Sequence, residues 1–365
     1  MFTKLLTFIV FISSVILSLL ITCEAAVILQ YHHVSNTTPK STSISPEQFE
    51  RHLQYLTDHQ FNVVPLPELV SALKNKKTLP DKTVAITFDD TYNDILLQAK
   101  PLLDKFGFPF TIFINPKLLS NNANHYLSWS QITALAKSPN QQVTLANHGL
   151  THDSFARKPK NRTKDEWFKQ QTQDLLLAEK LIEKYTGQTW RFFAYPYGEY
   201  TLDLQTWLRE NQFTAFTQQS GAVGLHTDLT IIPRFPASQP YDQLDSLKDK
   251  LYSLPLNISV INETINNKIS ETKTIARYNT ISSVNFEVQT KDFYPKSLNC
   301  YVSGLGKQKI KWLSQERFSI EFSGPLPIGR VRSNCTAPSI NNPERYYWFS
   351  QPWFILNTDG SWYPL

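Results

Sequence analysis

The sequence predicts an α/β chain in which a parallel sheet curls into a closed or nearly closed barrel, followed by a small all-β sandwich. Three observations carry this. Apolar strands alternate with amphipathic helices from Val27 to about residue 252, the pattern of helices covering a parallel sheet, and repetition at this length favours closure. His32, Asp89, His148 and Tyr197 each follow a strand, where barrels of this kind gather their chemistry. Beyond about Leu254 the helical periodicity stops, and short alternating stretches between Gly and Pro turns take over, the texture of a sandwich. The chain thus divides into a leader over 1–25, a barrel over 26–252 and a sandwich over 256–365.

The elements follow in order. Val27 to Tyr31 is a buried strand running into His32-His33. Ser45-Pro46-Glu47-Gln48 opens a helix, with Ser45 as cap, Pro46 at the first helical position and Gln48 completing a capping box. Phe49, Leu53 and Leu56 share one of its faces. Strands are expected at Phe61–Val64, Thr83–Phe88, Phe110–Ile114, Val143–Ala146, Phe192–Tyr195, Thr214–Phe216 and Ile231–Arg234. Between them lie helices over Pro67–Lys74, Ile95–Phe106, Ser130–Lys137, Thr163–Thr186 and Leu202–Asn211. In the last third, Ser283–Val288 and Phe318–Phe322 alternate with period two.

The first residues bear on compartment. Met1 to Lys4 give a short basic start, Leu5 to Ile21 are nearly all apolar, and Cys23-Glu24-Ala25 presents small residues at the spacing a signal peptidase uses. Cleavage is expected after Ala25. An uncleaved anchor and lipid attachment at Cys23 are the alternatives. The mature chain then keeps Cys300 and Cys335, expected to form one disulfide in an exported protein, with two buried thiols as the other reading. Net charge is +5, with the basic residues scattered; nucleic-acid binding is not supported, whereas an anionic cell envelope is tolerated. Oligomeric state is not legible.

Three segments carry candidate chemistry. Asp89 and Asp90 end a strand; adjacent strand residues point to opposite faces, so only a kink aims both at one cavity. Brought together, one carboxylate can hold a metal while the other takes a proton; otherwise the pair is a helix cap or a solvated turn. His148 and His152, four apart, share a face on a helical turn and with one carboxylate make a set suited to Zn²⁺ or another divalent transition metal; a surface pair is the bland reading. Phe192 to Gly198 is a strand and turn whose backbone N–H can face a developing oxyanion.

In this order, Thr87-Phe88-Asp89-Asp90, His148-x-x-x-His152 and Pro196-Tyr197-Gly198 resemble the polysaccharide deacetylases, or family 4 carbohydrate esterases, and Tyr31-His32-His33 resembles their branch acting on poly-N-acetylglucosamine. The resemblance covers roughly Val27 to Pro236. It implies a distorted (β/α)7-type barrel and hydrolysis of N-acetyl groups on a GlcNAc-containing glycan such as poly-N-acetylglucosamine, a chitin-like polymer or peptidoglycan. It also implies Asp89 as general base and Asp90, His148 and His152 as ligands of a divalent metal: Zn²⁺ first, with Co²⁺, Ni²⁺ or Fe²⁺ as alternatives. The Tyr197 N–H would hold the oxyanion. Two departures stand out. The Arg that the family places two residues before the Pro is Ala194 here, and Arg234 is the expected substitute tether. The family's late acid motif is missing, and His226 is the candidate acid. O-acetyl ester hydrolysis, or a weakly catalytic glycan-binding scaffold, are the competing functions. His32 and His33 are expected to be core histidines or groove residues; His52, His59 and His125 surface residues; Trp129 a core residue or a groove border. The aromatics Tyr346, Tyr347, Trp348 and Trp353 suggest that the sandwich docks a glycan or a partner.

Overall fold

A computed structural model describes residues 22–23, 25–119, 125–138 and 142–365. Apart from residues 22, 23 and 25, the expected leader lies outside the described residues. No helix among them is long and apolar enough to cross a membrane.

Seven parallel strands form the curled sheet: β1 (Ala26–Tyr31), β2 (Thr83–Asp89), β3 (Phe110–Ile114), β4 (Val143–Asn147), β5 (Phe192–Ala194), β6 (Thr214–Phe216) and β7 (Phe235–Pro236). Their order is β6–β5–β4–β3–β2–β1–β7. Strands β1 to β6 are buried throughout, as expected where helices cover one face of a sheet and the barrel interior the other. Asn62–Val63 adds a short parallel pairing to the start of β2.

The helices are α1 (Pro46–Asp58), α2 (Leu66–Lys74), α3 (Lys100–Phe106), α4 (Trp129–Ala136), α5 (Lys164–Thr186), α6 (Leu202–Glu210) and α7 (Leu244–Leu251). A π-type turn at Ile95–Ala99 leads into α3, so the single helix expected from Ile95 changes pitch at Pro101. Ser45 caps α1 by accepting the Gln48 N–H, and Phe49, Leu53 and Leu56 are fully buried. The reciprocal half of the expected capping box is absent, because the Gln48 amide instead donates to Asp242 O at 2.8 Å. Full capping boxes occur at Ser128–Gln131 and Thr163–Glu166.

The seam lies between β6 and β7. Ile232 makes one parallel bridge to Phe216, its N–H donating to Ala215 O and its carbonyl accepting from Thr217. The expected strand at Ile231–Arg234 does not continue, since Pro233 has no N–H to donate, and pairing with β1 resumes only at Phe235. At the opposite end of the strands, Val223 pairs with Ala26.

The strands beyond the barrel are β8 (Leu254–Pro255), β9 (Ile258–Ile265), β10 (Lys268–Ser270), β11 (Ile275–Arg277), β12 (Ile281–Val288), β13 (Asn299–Val302), β14 (Gly306–Gln308), β15 (Ile310–Trp312), β16 (Arg317–Glu321), β17 (Gly329–Pro338) and β18 (Tyr346–Leu356). One sheet runs β8–β18–β17–β13–β14, with β11 also beside β18, and the other β10–β9–β12–β16–β15. Phe286, Phe318, Ile320 and Trp353 fill the space between them. Cys300 and Cys335, opposite each other on β13 and β17, form a disulfide.

The sandwich aromatics mostly face inward. Trp353 is buried and donates to Glu263; Trp348 meets Phe235 of β7 edge to face at 5.2 Å; Tyr347 bonds Asp292. Tyr346 alone of that group is exposed. The apolar density expected to dock a partner therefore serves the sandwich core and its seat on the barrel. Phe354 against Tyr200 and Arg345 with Asp81 extend that seat.

Candidate active site

Strand β2 delivers Asp89 and Asp90 to the C-terminal end of the barrel. Its alternation breaks at Asp90, whose φ of +66° is left-handed, a conformation that short polar side chains tolerate best. This is the kink that two adjacent carboxylates need to serve one cavity. Beyond β4 the chain does not form the expected helical turn. Gly149 (φ +80°) and His152 (φ +61°) fold it into a tight loop, and a side chain at Gly149 would strike Phe155. The loop brings His148 and His152 together by turning rather than by helical spacing.

Asp90, His148 and His152 each offer a ligand atom, all within 4.8 Å of one another. Asp90 Oδ1 lies 3.5 Å from His152 Nε2 and 3.8 Å from His148 Nε2. The tautomer of His148 follows from its partner. Its Nδ1 meets Ala194 O at 2.8 Å; a carbonyl only accepts, so the proton sits on Nδ1 and Nε2 presents a lone pair. That Nε2 is buried and has no hydrogen-bond partner among the described residues. Burial pulls the His148 pKa down to about 4, against the pull of Asp89 and Asp90, which keeps the ring in the neutral form that a metal requires. An orphaned nitrogen facing an imidazole and a carboxylate fits a divalent cation. Tyr92, whose hydroxyl bonds Asp90, and Ala194, through its carbonyl, hold two of the three candidate ligands in place, the outer support that metal sites use.

Asp89 is fully buried beside this set. Arg234 grips it with two hydrogen bonds, Nη1–Oδ1 at 2.6 Å and Nη2–Oδ2 at 2.8 Å, and Gln30 donates to Oδ2 at 2.6 Å. Arg234 is itself held by Thr217 O and Thr87 Oγ1 and lies over the Phe113 ring. Burial pushes the Asp89 pKa up, but the charge of Arg234 and its hydrogen bonds outweigh it and hold the carboxyl well below its usual range. A carboxylate has about four acceptor positions. Among the described residues, Oδ2 takes two donors and Oδ1 one, which leaves a position on Oδ1 for an incoming proton.

Tyr197 adopts φ +60° in the turn after β5, and its ring lies 4.6 Å from that of His152. Among the described residues no carbonyl takes its N–H. His226 stands elsewhere. It is exposed in the loop after Val223, which the Ala26 pairing fixes at the N-terminal end of the strands, and it lines a cavity between barrel and sandwich rather than the Asp89 cavity. His32 is the histidine that stands beside Asp89: its Nε2 lies 3.9 Å from Asp89 Oδ2 and its side chain is 19% exposed. Its place directly after β1 was the sequence signal for it. His33 pairs with Asp94 at 2.6 Å and stacks on Tyr92. His52 is fully buried rather than superficial, set between Tyr31 and Asp242 O, while His59 and His125 are exposed. Trp129 stacks on Tyr185 of α5.

Comparison with known proteins bears on the family of this barrel. Residues 76–216 match the family described as polysaccharide deacetylase. A poly-beta-1,6-N-acetyl-D-glucosamine N-deacetylase of Staphylococcus epidermidis is 27% identical over 238 residues, 59% of this chain and 80% of that protein. Its Staphylococcus aureus counterpart is 29% identical over 171 residues, 46% of this chain and 58% of the relative; the chain thus spans under two thirds of that protein. The structure of IcaB from Ammonifex degensii superposes with a TM-score of 0.54 at 25% identity, covering 62% of this chain and 97% of that one. With the curled seven-stranded sheet, these findings identify residues 76–216 as a polysaccharide deacetylase domain.

Proposed function

We propose that this protein hydrolyses N-acetyl groups on a GlcNAc-containing polysaccharide, outside the cytoplasm, with a divalent cation held by Asp90, His148 and His152. One observation carries the reading: the buried Nε2 of His148, without a hydrogen-bond partner among the described residues, turns toward His152 and Asp90, directly beside a carboxylate with an open acceptor position. Two imidazoles and a carboxylate suit Zn²⁺ best. When bound, the cation would polarise the acetyl carbonyl and lower the pKa of an attacking water. The names of the staphylococcal relatives support the N-acetylglucosamine substrate class. The Cys300–Cys335 disulfide supports an oxidising compartment.

The protein's own groups then have distinct tasks. Asp89, aimed by Arg234 and Gln30, takes the proton of the attacking water on Oδ1. The Tyr197 N–H donates to the developing oxyanion, and its left-handed backbone keeps that N–H out of the turn's own hydrogen bonding. His32, close to Asp89, gives a proton to the departing nitrogen and is recharged from the carboxyl. His32 thus takes the role for which the sequence offers His226. Arg234 serves as the tether that Ala194 cannot be.

The test is acetate release from β-1,6-linked GlcNAc oligomers, chitin oligomers and acetylated xylan, before and after chelation. Release from a GlcNAc oligomer that is lost to chelator and restored by metal is expected. No release from any GlcNAc oligomer, or release from xylan alone, would overturn the proposal.

A further inference from the structure

The sandwich brings two arginines to the rim of this cavity. Along β17, Val331, Ser333, Cys335 and Ala337 point into the sandwich, and the alternation turns Arg330 and Arg332 the other way, toward the end of the barrel where the candidate ligands lie. Arg330 Nη1 donates to Tyr197 O at 3.4 Å, and its guanidinium lies 5.9 Å from the centre of the Tyr197 ring. The same ring touches His152, so Arg330 stands one side chain away from a candidate metal ligand. Arg332 is half-buried beside Arg330, with the phenols of Tyr241 and Tyr363 as its other electrostatic neighbours. Tyr241 follows β7, so the pair spans the rim from the turn after β5 to the loop after β7.

Neither arginine has a carboxylate partner among the described residues. The nearby carboxylates are committed elsewhere. Glu199 is taken by Arg157, Ser154 and Tyr363, Asp242 lies by Lys250, and Asp153 accepts from Thr151. Holding two like charges side by side, one of them half-buried, is unfavourable without an anion between them. A folded chain keeps such a pair where a ligand supplies the missing charge, and guanidinium forks match carboxylate and phosphate oxygens.

We propose that Arg330 and Arg332 form an anion-binding subsite that takes the carboxylate or phosphate of a sugar adjacent to the one being deacetylated. The subsite rests on the deacetylase reading for its place in the reaction. It narrows the substrate class to a glycan that alternates acetylated amino sugars with acidic or phosphorylated ones.

Titration calorimetry on the full chain tests it without requiring turnover, using three probes: a neutral β-1,6-linked GlcNAc oligomer, a GlcNAc–MurNAc oligomer bearing lactyl carboxylates, and a phosphorylated GlcNAc oligomer. The wild type is expected to bind one anionic probe about tenfold more tightly than the neutral one, with the advantage shrinking as salt is added. The tighter of the two names the group as carboxylate or phosphate. Arg332→Gln should remove the advantage and leave affinity for the neutral oligomer within about twofold, while Arg332→Lys, which keeps the charge but not the fork, should retain part of it. Equal affinity of the wild type for all three probes, or a charge preference that survives Arg332→Gln, overturns the subsite. Acetate release from neutral oligomers with no charge preference sinks the subsite alone. A charge preference that is lost in Arg332→Gln, without acetate release from any probe, sinks the deacetylase reading and leaves the subsite standing.

Discussion

Two buried arginine–carboxylate pairs lie within a few residues of the candidate cation site, and their difference separates chemistry from support. Asp89 and Arg234 meet at 2.6 and 2.8 Å. Glu199 and Arg157 meet at 2.6 Å through Nη2 and 2.7 Å through Nε. Both carboxylates are fully buried. Glu199 also accepts from Ser154 Oγ and Tyr363 OH, so all four of its acceptor positions are filled. Among the described residues Asp89 has only Gln30 in addition and keeps a position on Oδ1 open. A saturated carboxylate fixes neighbours; an unsaturated one beside a cation site can take a proton. What Glu199 fixes is specific. Ser154 and Arg157 belong to the loop that carries His152, Glu199 closes the turn that carries Tyr197, and Tyr363 comes from the chain's last residues.

The largest contrast is in turnover. Asp89→Asn should lower kcat by about a thousandfold or more, the range for loss of a general base, with bound metal retained. Glu199→Gln should lower it by less than about tenfold. Steady-state acetate release with metal analysis checks both; equal losses would erase the distinction drawn here.

Next come the arginines. Arg234→Gln and Arg157→Gln each leave a buried carboxylate without its cation, and each should cost about 3–5 kcal/mol of stability in denaturant unfolding. Only the first should move the rate profile. Without Arg234 the Asp89 pKa rises toward the ordinary carboxylate range, so the acid limb of kcat/KM shifts to higher pH. An unmoved limb would mean that Arg234 does not set the basicity of Asp89.

The sandwich offers a control far from both pairs. Replacing Cys300 and Cys335 by Ala opens a cross-link spanning 35 residues, which by chain entropy should cost about 4 kcal/mol, while kcat on neutral oligomers stays put. A large fall in kcat in the folded variant would show that the sandwich acts on the cation site through more than its seat.

The smallest expected effect concerns His52. Its Nε2–H donates to Asp242 O and its Nδ1 accepts from Tyr31 OH; burial, opposed by the Asp242 carbonyl bond, lowers its pKa to about 4 from its usual 6.5. As pH falls through 6.5 the unfolded chain takes up a proton that the folded chain refuses until about 4. The ring therefore favours folding fully above that window and progressively less within it, by up to about 3 kcal/mol. His52→Gln should flatten this part of the stability curve, and an unchanged slope would remove His52 as its source.

Much of this was legible in the sequence. The strand–helix alternation gave the barrel, because its strands are continuous apolar runs. Arg234 could be singled out because it follows a late apolar stretch in a chain whose usual tether position holds Ala194. Other features were not legible for physical reasons. Ile231 and Ile232 read as a strand, yet Pro233 moves the pairing on to Phe235. His226 is late in the sequence but sits at the wrong end of the barrel, since the Val223–Ala26 pairing fixes its loop there; order along the chain does not give height along the barrel axis. The helical spacing of His148 and His152 suggested the right neighbours for the wrong reason, because a left-handed loop joins them. The Glu199–Arg157–Tyr363 cluster left no trace, since its members are scattered polar residues that meet only when the sandwich seats on the barrel.

The most direct test of the central claim is the metal content of the purified protein, measured for the wild type, Asp89→Asn and His148→Ala after the same metal loading. About one equivalent in the wild type and in Asp89→Asn, with a loss of at least tenfold in affinity for His148→Ala, is the expected result. Metal content that does not depend on His148, or that vanishes with Asp89 instead, would contradict the account.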